Sequence, residues 1–135
     1  MTLNILEKIA LGTSGLTAIG IGAMILLVPH AFYASYGISL PANPSLLSEL
    51  RAPAAGLTVL GVLMLSGIFR PAMVQIALAT ALTVFIAFPV GRFVSAAADG
   101  APSSGIVGAL LFEIAIAALC VFAFRRRLAG GSVKP

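Results

Sequence analysis

Four apolar stretches, each long enough to cross a ~30 Å hydrocarbon core, cover most of this chain and restrict it more than any other feature. They run over approximately residues 4–28, 44–69, 72–97 and 103–124. A soluble bundle needs a polar stripe on every surface helix, and these stretches leave none. Only 9% of the residues are charged and 60% are hydrophobic, where soluble domains carry roughly 25% charge. The expected fold is therefore all-α, a single transmembrane domain of 135 residues built as an antiparallel bundle of four membrane-spanning helices. An apolar run follows Lys8, but from Ile9 to Val28 it is long enough to span and ends without an A-x-A cleavage pattern. It is read as the first span and not as a signal peptide.

The small residues inside the spans point to close packing. Gly12, Gly15, Ala18 and Gly22 recur every three or four positions on the first span, so they share a face. Gly105, Ala109, Glu113 and Ala117 do the same on the fourth. Thr13, Ser14 and Thr17 can return their hydroxyls to carbonyls one turn back, which makes them compatible with apolar surroundings. Two such small-residue faces cannot all be satisfied within four helices, so a homo-oligomer or docking on a larger membrane complex is expected.

Between the first two spans lies the longest connection, Pro29 to Asn43, with His30, Tyr33, Tyr36, Gly37 and Pro41. Tyr33 and Tyr36 are expected at the membrane interface, where a ring with a polar tip is favoured. A lone histidine such as His30 is expected to be solvated. Asn43 and Pro44 form a cap and first-turn pair for the second span, and Gly37 suits the end of a short helical turn. Pro53 and Pro89 fall inside the second and third spans, where each removes a backbone hydrogen bond. Arg70-Pro71 and Asp99-Gly100-Ala101-Pro102 read as tight turns.

The net charge of +4 does not indicate nucleic acid. Arg125, Arg126, Arg127 and Lys134 hold half of the eight basic residues and sit together as a basic tail over residues 125–135. With Lys8 and Arg70 they fall on one side of a four-span topology, while the opposite connections hold no Lys or Arg. Both termini are therefore expected to be cytoplasmic. Cys120, the single cysteine, precludes an intrachain disulfide and has no metal-ligand spacing around it. No cofactor or metal is implied.

Function is best sought among the charges away from water-facing ends: Glu49 and Arg51 in Ser45–Gly56, Arg92 late in the third span, and Glu113 in the fourth. An ionised residue at mid-membrane costs ~2.5–3.5 kcal/mol, so these four must find partners. Glu113 lies 11 residues beyond Pro102, about 16 Å deep, and is the deepest of them. In antiparallel neighbours Arg92 comes level with Glu49 and Arg51, and can bridge to Glu49, Glu113 or both. Glu49 and Arg51 are two residues apart, about 200° around a helix, so they cannot face one neighbour. A spare arginine could hold an anionic or carboxylate-bearing molecule through its planar fork. Glu113 could alternatively exchange a proton, or the cluster could serve only as a structural tie. Enzyme motifs are missing: no paired histidines, no G-x-S-x-G elbow, no cysteine pair, no phosphate-binding glycine loop.

The order Tyr36-Gly37-Ile38, Leu40-Pro41, Glu49-Leu50-Arg51-Ala52, Gly91-Arg92 and Glu113 resembles the bacterial membrane family called domain of unknown function 4345, and more remotely the DoxX-like four-helix membrane proteins. The resemblance implies four helices, a polar cluster at Glu49, Arg51, Arg92 and Glu113, and a multi-pass protein of the bacterial inner membrane. It implies no activity. Pro53-Ala54-Ala55 departs from the family's pattern of a less rigid residue and a glycine pair. The expected function is non-enzymatic: binding, and conceivably transport, of a small anionic or amphiphilic molecule in an outward-facing polar pocket. The rival is an accessory or assembly subunit of a larger membrane complex, its charged cluster only a tie.

Overall fold

A computed structural model describes residues 2–130, which are helical apart from short connections. The helices are α1 (Ile5–Leu27), α2 (Pro29–Ala34), α3 (Pro44–Phe69), α4 (Val74–Asp99), α5 (Ser104–Ala123) and α6 (Arg125–Gly130). One 3-10 turn, Pro71–Met73, leads into α4. Four segments, Ile5–Leu27, Pro44–Phe69, Pro71–Asp99 and Ser104–Ala123, are long and apolar enough to cross a membrane, and the chain is a multi-pass membrane protein. Large apolar side chains such as Leu16, Phe69, Phe93 and Leu111 point outward, as lipid permits and water would penalise.

The ends of the helices follow from local chemistry. Asn4 and Glu7 close a reciprocal capping box on α1: the Glu7 amide donates to Asn4 Oδ1 at 2.8 Å, and the Asn4 amide donates to Glu7 Oε2 at 2.9 Å. Asn43 caps α3 by accepting from the amides of Ser45 and Leu46, with Pro44 in the first turn. Gly37 and Gly100 take φ of +75° and +98°, so only glycine reverses the chain there without strain. Pro53 and Pro89 lie inside α3 and α4; Pro53 is exposed and Pro89 buried.

The four long helices form an antiparallel ring in which α1 packs on α3 and α5, α4 packs on the same two, and α3 and α5 sit on the diagonal. The tightest seam is α1 against α3. Gly15, Gly22 and Gly61 bring the backbones together: a Cβ on Gly61 would come within 2.8 Å of the Gly15 carbonyl oxygen, and one on Gly22 within 2.7 Å of the Ala54 carbonyl oxygen. Gly67 seats the start of α4, since a Cβ there would meet Ala77 at 2.6 Å. The main core lies around Leu11, Met64, Ala77, Phe85, Cys120 and Phe124. A smaller cluster of Ile25, Phe32 and Ala54 closes the far end, with Tyr33 and Tyr36 packed against it.

Both small-residue rows thus turn inward. On α1, Gly15, Ala18 and Gly22 are buried; on α5, Gly105 packs on Tyr36, Glu113 is buried and Ala117 joins the core. Gly12 and Ala109 stay partly exposed, so packing within the bundle uses much of each row without covering it completely. Ser14 behaves as expected of a span hydroxyl, donating to the Ala10 carbonyl at 2.7 Å, and it also meets Cys120 Sγ at 3.2 Å. Residues 125–130 of the basic tail form α6; Lys134 and the rest of the tail lie outside the described residues.

Candidate functional site

The expected cluster divides into three. Arg92 on α4 and Glu113 on α5 form a two-point ion pair, Nε to Oε2 at 2.8 Å and Nη2 to Oε1 at 2.7 Å. The parallel alignment of fork and carboxylate is the strongest geometry available to such a pair. Glu113 is almost fully enclosed, whereas 29% of the Arg92 side chain remains exposed. That exposed part borders a cleft of about 420 Å³ between α4 and α5, lined also by Phe88, Gly91, Ser95, Pro102 and Ile106. Arg92 therefore ties the third span to the fourth, not the second to the fourth.

Arg51 faces α1. Its Nε donates to the Leu26 carbonyl at 3.0 Å, in the last turn of α1, where carbonyls lack an in-helix donor. Half-buried, it also borders a shallow groove of about 540 Å³ along the opening turns of α3, with Pro44, Leu47, Ser48 and Ala52. No carboxylate lies against it among the described residues. Glu49, two residues earlier and so on the opposite side of α3, is exposed and joins no ion pair among the described residues. Of the four expected residues the fold brings together only Arg92 and Glu113.

Tyr33 and Tyr36 complete this end of the bundle. Both rings pack edge-on against Phe32, centroids 5.2 Å apart, and the Tyr36 carbonyl accepts from Ser103 Oγ at 2.9 Å, which pins α2 to the start of α5. Burial pushes the Tyr33 phenol above its ordinary pKa, partly offset by the nearby charge of Arg92. His30 is exposed.

A second ion pair, at the end carrying the termini, escapes a reading that assigns Glu7 to water and Arg127 to topology alone. Glu7 is buried at 4% exposure. Arg127 on α6 grips it with Nε at 2.8 Å and Nη2 at 3.2 Å, and Nη2 also reaches the Thr2 carbonyl. The hydrogen bond to Glu7 is the main reason the Arg127 guanidinium is held above its ordinary pKa. The Asn4-x-x-Glu7 capping pattern is the signal that could have marked Glu7 as structural, but nothing in the sequence names Arg127 over Arg125 or Arg126. Beside the pair opens the larger cleft, about 960 Å³, between the start of α1, the first turns of α4 and α6.

Among the described residues no three His, Cys, Asp or Glu side chains gather as metal ligands would. The end of the bundle around α2 presents the Arg51 guanidinium beside a shallow groove. Nothing there pairs a nucleophile with a base.

Comparison with curated proteins finds no match, and comparison with solved structures finds none either. A family model matches residues 6–124, the stretch that holds all four long helices almost entire and both Arg92 and Glu113. The chain belongs to the family described as Domain of unknown function (DUF4345).

Proposed function

We propose that this protein is a non-catalytic binding protein of the bacterial inner membrane that takes a small anionic or amphiphilic molecule at the end of the bundle formed by α2 and the start of α3. The carrying observation is Arg51: a half-buried side chain near the start of the second span, hydrogen-bonded to Leu26 and facing no carboxylate among the described residues. An arginine kept there without a counter-ion suits an anionic group arriving from outside, because its remaining N–H donors form a planar fork that matches a carboxylate or phosphate. The groove beside it has apolar flanks in Leu47 and Ala52 for an attached alkyl part. Arg92, paired with Glu113, borders a separate cleft between α4 and α5.

The side of the membrane follows from charge. Lys8, Arg70, Arg125, Arg126 and Arg127 lie at the end with the termini, which the positive-inside rule places in the cytoplasm, so the Arg51 groove faces outward. The accessory-subunit alternative leans on the small-residue faces, of which Gly12 and Ala109 remain partly exposed.

The test is a thermal melt of the purified protein in neutral detergent with a long-chain fatty acid or the matching fatty alcohol. The carboxylate is expected to raise the melting temperature of the parent and not that of Arg51→Gln, while the alcohol raises neither. Equal stabilisation of the parent and Arg51→Gln by the fatty acid would sink the assignment.

A further inference from the structure

The cleft at the opposite end has the shape and charge of a lipid site, and it is independent of Arg51. Its floor is the apolar face of α4, Val74, Leu78, Ala79 and Leu82. From Val74 to Leu82 that face descends eight residues, about 12 Å, which approaches the ~15 Å depth of one leaflet's hydrocarbon. Its mouth is polar, with Gln75 from α4 and Arg126 from α6. At about 960 Å³ it falls in the ~300–1,000 Å³ range of sites that enclose small ligands.

The three arginines of α6 are not equivalent. Arg127 is committed to Glu7 and Thr2. Arg125 turns away from the cleft, donating to the Phe122 carbonyl at 2.8 Å and stacking over the Phe122 ring at 4.2 Å. Arg126 lines the cleft with no hydrogen-bond or ion-pair partner among the described residues. Among the described residues the charge at this end of the bundle is one-sided: Lys8, Arg70 and the α6 arginines stand against one side-chain carboxylate, Glu7, which Arg127 already pairs. A free inorganic anion has no use for 12 Å of Val, Leu and Ala wall, and a neutral lipid has no use for Arg126. We infer that this cleft seats one anionic glycerophospholipid of the leaflet on the termini side, its phosphate on Arg126 and one acyl chain along α4 between Val74 and Leu82.

The experiment reconstitutes the full chain in bilayers of mixed phosphatidylglycerol and phosphatidylcholine, re-extracts it in neutral detergent and counts co-purified lipid by mass spectrometry. The parent should retain phosphatidylglycerol in preference to phosphatidylcholine. Arg126→Gln should cut that preference about five-fold, the effect of one cation beside anionic headgroups. Ala79→Trp, at an exposed wall position, should block the acyl chain and reduce retention of both lipids. Arg125→Gln removes the same charge outside the cleft and should leave retention unchanged, as should Arg51→Gln, which separates this site from the one at the other end. An Arg125→Gln loss equal to that of Arg126→Gln would mean general charge attraction and no site. Full retention by Ala79→Trp with an intact size-exclusion peak would likewise overturn the assignment, as would displacement of the lipid by inorganic phosphate alone.

Discussion

Replacing Gly61 by alanine adds one methyl group at the point where α1 and α3 touch backbone to backbone. The new Cβ would stand 2.7 Å from Ile19 Cγ1, 2.8 Å from the Gly15 carbonyl oxygen and 2.9 Å from the Ile19 amide nitrogen. Two of those three are main-chain atoms, so no side-chain rotation relieves the contact. Carbon-to-oxygen contacts between packed helices settle at ~3.3–3.6 Å, which requires the two backbones to part by about 0.5–0.8 Å. A gap of that size forfeits roughly a quarter to a half of the dispersion well for each atom pair along the seam. In lipid there is no compensating gain from removing apolar surface from water, because packing itself is the main attraction between spans. The expected loss is about 1–3 kcal/mol, the usual cost of overpacking. Gly56→Ala is the internal control on the same helix: nothing lies within 4 Å of its added Cβ, and alanine's better helix propensity favours it by up to ~1 kcal/mol. The assay is reversible unfolding in mixed micelles by titration with a denaturing detergent. Equal midpoints for the two variants would refute the close-approach account of this seam.

The Arg92–Glu113 pair should respond non-additively. Glu113→Gln strands a guanidinium that cannot shed its charge and should cost about 3 kcal/mol, a loss that adding Arg92→Gln in the double substitution should largely recover; melting the single and double variants together checks it. Arg127→Gln should release α6 from Glu7, speeding tryptic cutting after Arg125 and Arg126 in timed proteolysis, and should also lower the melting temperature because the buried Glu7 carboxylate loses its partner. Asn43→Ala should destabilise α3 by about 1 kcal/mol, seen as a lower unfolding midpoint, whereas Ser45→Ala, which uses only its amide there, should not. Cys120, fully buried beside Ser14, should resist maleimide in the folded protein and react once it is denatured; reaction at equal rates in both states would contradict its place in the core.

The four spans, their caps and their turns were legible in the sequence because each depends on chemistry a few residues wide. Asn43-Pro44 can only begin a helix comfortably, Gly100 reverses the chain, and twenty apolar residues in a row have one solvent that suits them. The pairing of Arg92 with Glu113 was half legible: burial cost demands a partner for each, and helical rise puts them near one level. Which carboxylate Arg92 would choose was not, because Glu49 and Glu113 carry the same charge and both lie within reach of a long arginine side chain.

The sequence by itself determined the solvent of this protein, the number of its spans, their antiparallel order and the need for its deep charges to be matched. Tertiary structure decided the partners. Rotation of each helix about its own axis is set by interlocking of side chains along whole seams, as at Gly15, Gly22 and Gly61, and a sequence states those seams only jointly. That rotation turned Glu49 out to the surface, aimed Arg51 at the end of α1, set Gly15, Gly22 and Gly61 into the α1–α3 seam and brought Glu7 within reach of α6. A charge reaches only a few ångströms with useful strength, so a rotation of half a turn is the difference between a tie, a binding group and a solvated side chain.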